Sequence, residues 1–443
     1  MSIMLKIKKY IKFTLLLIGA IISFSNIVQG QNSKDSLSLN KIISTVVQNH
    51  PSVKEAIEAI NSANAGIGLA KAGYYPNIDV SASYTRLGPV QEITFPGFGT
   101  FQLYPANNYA ANLNYFQTLF DFGKTAKGVT LAKENKNLSQ LTIEQVKQKL
   151  AITTTMFYYS MVYLQEAIKI NKEQQKTLEE HLAFIEKKQE TGSATPYEIL
   201  STKVKISTVE SIGIDLQTSL RNQITELNSL MGQTENTSFS VKQELDIKLP
   251  NISQDSILSY AFEHRDEIKI TKEKAILAAL KYKLVKAQDN PSLNVQLSGG
   301  GKNGYIPDLN AIKPNFLAGL GLKIPIFEGS RLKFNLSQAK SNITYIDYET
   351  ELAKRTISVE VAENEENLKA SLKKIERFSL QLSQSQEAFE LAQTSFKAGS
   401  ITNLDLLDAA TTISESNLLL LKSKIEYATN IFKLKIAVGE RLY

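Results

Sequence analysis

The chain has 443 residues, and its 50 basic and 44 acidic side chains give a formal charge of +6. It has no cysteine, which excludes disulfides, thiolate metal sites and cysteine nucleophiles, and its three histidines, His50, His181 and His264, are far apart. Lys6, Lys8, Lys9 and Lys12 fall in an acid-free stretch of thirty residues; the other 46 basic residues nearly balance the 44 acids, so charge gives no case for nucleic acid.

Those four lysines open a predicted signal peptide over 1–30. Residues 13–24 supply its apolar run, and Val28-Gln29-Gly30 offers small residues for cleavage between Gly30 and Gln31. With no cysteine to acylate, a lipoprotein is excluded, and no later apolar run is long enough to span a membrane as a helix.

A short helix is expected over 37–48, broken by His50-Pro51, then a longer one from 52 to about 73 with Ala56, Ala59, Ile60, Ala63, Ile67 and Ala70 on one face. The period then changes to two. Ile78, Val80, Ala82 and Tyr84 alternate with Asp79, Ser81, Ser83 and Thr85, giving a strand over 77–86. A Gly- and Pro-rich loop holding Phe95, Phe98, Phe101 and Tyr104 leads to a second strand, 109–119. A very long helix follows at 122–190, about 100 Å at 1.5 Å per residue. A tight turn at Gly192 reverses it into a return helix, 196–231, and 233–253 reads as a linker between halves.

The second half replays the first. Short helices precede Asn290-Pro291, strands are expected at 292–300 and 315–325, a long helix at 330–398 and a return helix at 403–438. Gly399 follows Gly192 by 207 residues, and the same interval relates Thr402 to Thr195 and Asp405 to Glu198. Thr195, Pro196 and Glu198 form a capping box with proline at the first helical position; Thr402 and Asp405 offer a weaker version. The chain is therefore divided into a first repeat over 31–232 and a second over 254–443.

Four membrane-length strands cannot close a barrel, and an open edge in hydrocarbon costs several kcal/mol per unpaired backbone group. Other copies of the chain must satisfy the edges. Two copies would give eight strands around a filled interior, whereas three give twelve, with Asp79, Ser81, Asn112, Asn114, Asn294 and Gln296 lining a wet lumen. The expected class is mainly α with a small membrane β-barrel contribution.

On the turn at Gly399, Asp405 and the run Leu406-Leu407-Asp408-Ala409-Ala410-Thr411-Thr412, with Gly192 and Glu198 as their echo, the chain resembles the outer membrane efflux protein family, the TolC-like trimeric channel-tunnels. The resemblance spans the chain from residue 31 onward. It implies a homotrimer in outer membrane lipid, a 12-stranded barrel on a long α-helical tunnel in the periplasm. It further implies helical tips that dock on a periplasmic adaptor, served by an inner membrane pump or ABC exporter. The tip residues so implicated are Gly192, Ser193, Thr195, Glu198, Gly399, Ser400 and Thr402. Asp405 and Asp408, one helical turn apart, match an acidic pair that lines the periplasmic aperture of family members. A ring of six carboxylates favours cations and raises its own proton affinity. Relatives hold the closed state with an arginine and a tyrosine where this chain has Ile401 and Phe396, so closure is expected to rest on apolar packing there.

The remaining signals are plain. His50 and His264 read as corresponding structural residues and His181 as a solvated mid-helix residue. Tyr74, Tyr75, Tyr84, Tyr109, Phe120, Phe122 and Phe327 fit either interfacial girdles or packing at strand ends. No nucleophile motif, phosphate loop or metal spacing occurs, so neither an enzyme nor a cofactor is expected. The expected function is a passive exit duct for efflux or type I secretion. A non-channel periplasmic coiled-coil scaffold is the rival reading, and it leaves the four alternating segments unexplained.

Overall fold

The computed structural model describes residues 36–243 and 256–443. The expected signal peptide, with its cleavage residues Gly30 and Gln31, and part of the expected linker lie outside the described residues. In the first repeat, β1 (Ser36–Leu37) precedes α1 (Leu39–Asn49) and α2 (Pro51–Ala72). The strands β2 (Asn77–Arg86), β3 (Glu92–Phe95), β4 (Gly99–Gln102) and β5 (Asn107–Phe120) come next, then α3 (Lys124–Glu190), α4 (Pro196–Met231) and β6 (Ser240–Val241). The second repeat contains α5 (Ile257–His264), α6 (Asp266–Lys286), β7 (Ser292–Lys302), β8 (Lys313–Lys323), α7 (Arg331–Lys397) and α8 (Asn403–Ala437).

The four long strands form one antiparallel sheet in the order β2-β5-β7-β8, with β2 and β8 as free edges. Its register sorts most side chains by polarity, with Phe116 and Leu317 as apolar exceptions on the polar face. Asp79, Ser81, Asn112, Asn114, Ser298, Gln296 and Asn315 fall on one face, and Ile78, Val80, Leu113, Leu297, Phe316 and Leu320 on the other. On the polar face Asn114 donates to Asp79 and Ser81 at 2.9 and 3.0 Å and accepts from Ser298 at 2.9 Å. The apolar face is left exposed. The tyrosines and phenylalanines at the strand ends are exposed too, which favours a girdle over junction packing.

Both long helices begin one or two residues later than expected, because each strand-to-helix junction spends two residues in the left-handed region. Phe122 and Gly123 have φ of 53° and 80°, and Gly329 and Ser330 have 62° and 63°. Asp121 braces the first junction by accepting from the backbone N–H groups of Gly123, Lys124 and Thr125 at 2.7 to 3.0 Å.

Beyond the sheet, α3 packs on α2 near the strands and on α4 toward its far end, while α7 packs on α6 and α8 in the same way. The two layers meet through α3, which touches both α6 and α8. Midway lies the main core, where Ile42, Ile43 and Val46 of α1 meet Tyr158, Tyr159 and Met161 of α3 and Leu227 of α4. There β1 pairs parallel with β6, and Tyr158 donates to the carbonyl of Lys242 at 2.6 Å.

The expected match of His50 with His264 is wrong by one residue. His50 ends α1 and starts α2 with φ −64° and ψ 133°, and the residue with that task in the second repeat is Arg265, at −63° and 133°. His50 caps with its ring, Nδ1 accepting from Ser52 N–H at 3.2 Å. Arg265 instead reaches out to Glu267 and Glu360 at 2.9 and 2.8 Å and donates to the Ile436 carbonyl. Both histidines remain structural, since His264 stacks on Tyr260 with ring centroids 3.8 Å apart.

Candidate functional site

The far ends of the two helical hairpins lie side by side, and both turns are built alike. Gly192 and Gly399 take φ of 74° and 75°, which a side chain disfavours. The following amides close a Schellman-type turn, Ser193 N–H to the Lys188 carbonyl at 2.8 Å and Ser400 N–H to the Ser395 carbonyl at 2.9 Å. Glu198 N–H donates to Thr195 Oγ1 at 3.3 Å, and Glu198 Oε2 accepts from Thr195 N–H at 2.6 Å. The second capping box, expected to be weaker, is complete as well. Asp405 N–H donates to Thr402 Oγ1 at 3.2 Å, while Asp405 Oδ2 accepts from Thr402 N–H and Oγ1 at 2.9 and 2.7 Å. Those two bonds from Thr402 hold the Asp405 carboxyl below its usual pKa. Within one chain the cap therefore acts opposite to the rise that a carboxylate ring would cause.

Asp405 and Asp408 are both exposed, as are Gly192, Ser193, Thr195, Gly399, Ser400 and Thr402; Glu198 is half-buried. Beneath them an apolar cluster joins the hairpins. Ile185, Ile199, Phe396 and Leu406 are buried together, with Ile401 packed against them, so the expected apolar contact at Phe396 and Ile401 exists. A second cluster follows, made of Leu178, Ile206, Val209, Leu407 and Ala410.

His181 is not the solvated residue expected. It is half-buried, its Nε2 lies 2.7 Å from Asn403 Oδ1, and its ring meets Phe396 edge to face at 5.2 Å. Burial lowers the pKa of its imidazole. Neither His181 nor Asn403 carries a local motif, and 222 residues separate them, so no sequence signal could have paired them. Among the described residues no cluster of metal-ligating side chains occurs, and no helix is long and apolar enough to cross a membrane.

A model of the family described as "Outer membrane efflux protein" matches residues 42–233 and 265–440, both repeats with their strands and tips. The chain belongs to the outer membrane efflux protein family. Outer membrane protein TolC of Salmonella enteritidis is 22% identical over 438 residues, which covers 96% of this chain and 85% of that protein. Alkaline protease secretion protein AprF of Pseudomonas aeruginosa is 22% identical over 402 residues, covering 89% and 82%. A crystal structure of CusC, described in terms of transmembrane channel formation, superposes with a TM-score of 0.77 at 20% identity, covering 91% of this chain and 92% of that one. This member of the efflux protein family has the channel-tunnel protomer fold and is an outer membrane efflux channel, with its helical part in the periplasm.

Proposed function

We propose that three copies of the chain assemble into the exit duct of a tripartite efflux or type I secretion system, which substrates cross passively. The observation that carries this reading is the two-faced sheet with both edges free. Closing β2 of one copy against β8 of the next satisfies every edge in hydrocarbon, keeps Val80, Phe316 and Leu320 against lipid and turns Asp79, Asn112 and Asn315 to a wet lumen. The helical layer supports the same symmetry. Tyr197, Leu200 and Val204 form an exposed apolar stripe on α4, and Tyr345, Tyr348 and Leu352 form one on α7. These stripes give neighbouring copies something to pack on, and a coiled-coil scaffold has no use for the sheet.

At the tips, the turns at Gly192–Thr195 and Gly399–Thr402 are the exposed, duplicated surface on which a periplasmic adaptor would dock. Three-fold symmetry would bring Asp405 and Asp408 of each copy around one axis as a cation-preferring aperture. The name of AprF points toward protein secretion and the family description toward efflux, and an inner membrane pump or ABC exporter supplies the energy in either case. The test is fractionation followed by reconstitution. A heat-modifiable trimer in outer membranes that conducts in planar bilayers is expected, with cation selectivity reduced in Asp405→Asn/Asp408→Asn; a soluble elongated periplasmic protein would overturn the reading.

A further inference from the structure

One polar side chain buried in the packed tips touches both repeats. Asn403, the first residue of α8, is only 4% exposed. Its Nδ2 lies 3.3 Å from each of three oxygens in the first two turns of α4, the Glu198 carbonyl, Ser201 Oγ and Thr202 Oγ1. Both hydroxyls already donate to that carbonyl, at 3.0 and 2.8 Å, so they present lone pairs to Asn403 and require its nitrogen end. The amide oxygen is thereby turned to His181 Nε2. An amide oxygen only accepts, so Nε2 carries the proton and the neutral ring is the Nε2–H tautomer. A single chain of hydrogen bonds thus runs from α3 through the start of α8 to α4.

We propose that His181 and Asn403 are the clasp that holds the second hairpin on the first, and that protonation of His181 at Nδ1 loosens it. The surroundings set the sign. The ring is seated beside a crevice of about 230 Å³ whose walls include Leu178, Phe396, Leu406 and Leu407. The charged groups around it are Glu180 and Lys188 of α3, Glu198 of α4 and Lys397 of α7, while Asp405 of α8 is turned back to Thr402. Lys188 Nζ stands 4.9 Å over the Phe396 ring that meets the imidazole. Burial lowers the imidazole pKa from its usual 6.5, with Asn403 and Glu198 opposing and Lys188 reinforcing. Parted tips then bind the proton more tightly than packed tips. Acidification below 6.5 favours parting, and the effect grows until the pH passes the lowered value.

That parting opens the inner mouth rests on the channel reading above; the clasp itself does not. The absence of cysteine makes the test clean. Spin labels at Ser193→Cys and Ser400→Cys, in protein diluted with unlabelled chain, report the distance between the tips by double electron–electron resonance at about pH 7.5 and about pH 5.5. For the otherwise unaltered chain the distance distribution should shift toward the long population on acidification, because the ring takes up its proton more readily once the tips part. His181→Gln keeps a donor without titrating and should stay short at both pH values. His181→Phe keeps the ring but leaves Asn403 Oδ1 bare, and should show the long distance at both. An acid response that survives in His181→Gln, or a His181→Phe chain as tightly closed as the unaltered one, would overturn the proposal. Conductance separates the two readings: the expected distances without current leave the clasp standing and remove the channel, whereas current with unchanging distances does the reverse.

Discussion

Thr195 and Thr402 perform the same task at two turns, with one instructive difference in their partners. Glu198 and Asp405 each return a carboxylate oxygen to the cap backbone and hydroxyl, and the difference is that Asp405 does so with a side chain one methylene shorter. Thr195→Ala should cost about 1 kcal/mol of thermal or denaturant stability, the usual worth of a lost N-cap. Thr402→Ala should act in the same direction. Because the Asp405 pKa is depressed, its share of the cap is intact above the usual aspartate value of 3.8 and is lost as pH falls through the lowered one. Hydrogen exchange at the Thr402 amide, which donates to the Asp405 carboxylate, should therefore accelerate only in strongly acidic buffer, and acceleration near neutrality would contradict the assignment. These caps were legible in the sequence because they are local. His181 and Asn403 were not, since their meeting depends on how two hairpins dock.

At the scale of elements, the strands could be read because one face of the sheet is mainly apolar and the other mainly polar, which imposes an alternation of period two. The hairpin of β3 and β4 escaped, because four-residue strands inside a Gly- and Pro-rich loop leave too few alternations to detect. His50 was misassigned for a related reason. The repeats are offset by 207 residues at the tips but by 215 before the strands, as His50 and Arg265 show, so the extra residues sit in the first loop. Within the sheet, two adjacent glycines make a sharp comparison. A Cβ on Gly300 would stand 2.0 Å from the Ala111 carbonyl oxygen, whereas one on Gly299 meets nothing within 4 Å. Gly300→Ala should sharply reduce the yield of heat-modifiable protein in outer membranes, because backbone cannot move aside cheaply within a paired sheet. Gly299→Ala should leave the yield near normal.

For the whole molecule, long proline-free helices and a two-faced sheet lacking closure together pointed to an assembly, while what pairs with each edge stayed illegible because, in the proposed trimer, it belongs to another copy. The stripe on α4 offers the direct check. Leu200→Glu with Val204→Glu places charge on an exposed face of the protomer, so the protomer should keep its helical circular dichroism yet lose its SDS-resistant oligomer. If the oligomer persists, α4 does not face a neighbour. The β3–β4 hairpin has one more consequence. Its two strands pack chiefly on each other, Thr94 and Thr100 tie it internally at 2.8 Å, and Phe98 at its tip is 81% exposed. It also lies at the end of the sheet away from the periplasmic helices, where length already varies between the repeats. Such a tip accepts inserted sequence with little penalty. A short epitope placed between Gly97 and Phe98 should be stained by antibody on intact cells, turning this loop into a port for displaying peptides at the bacterial surface.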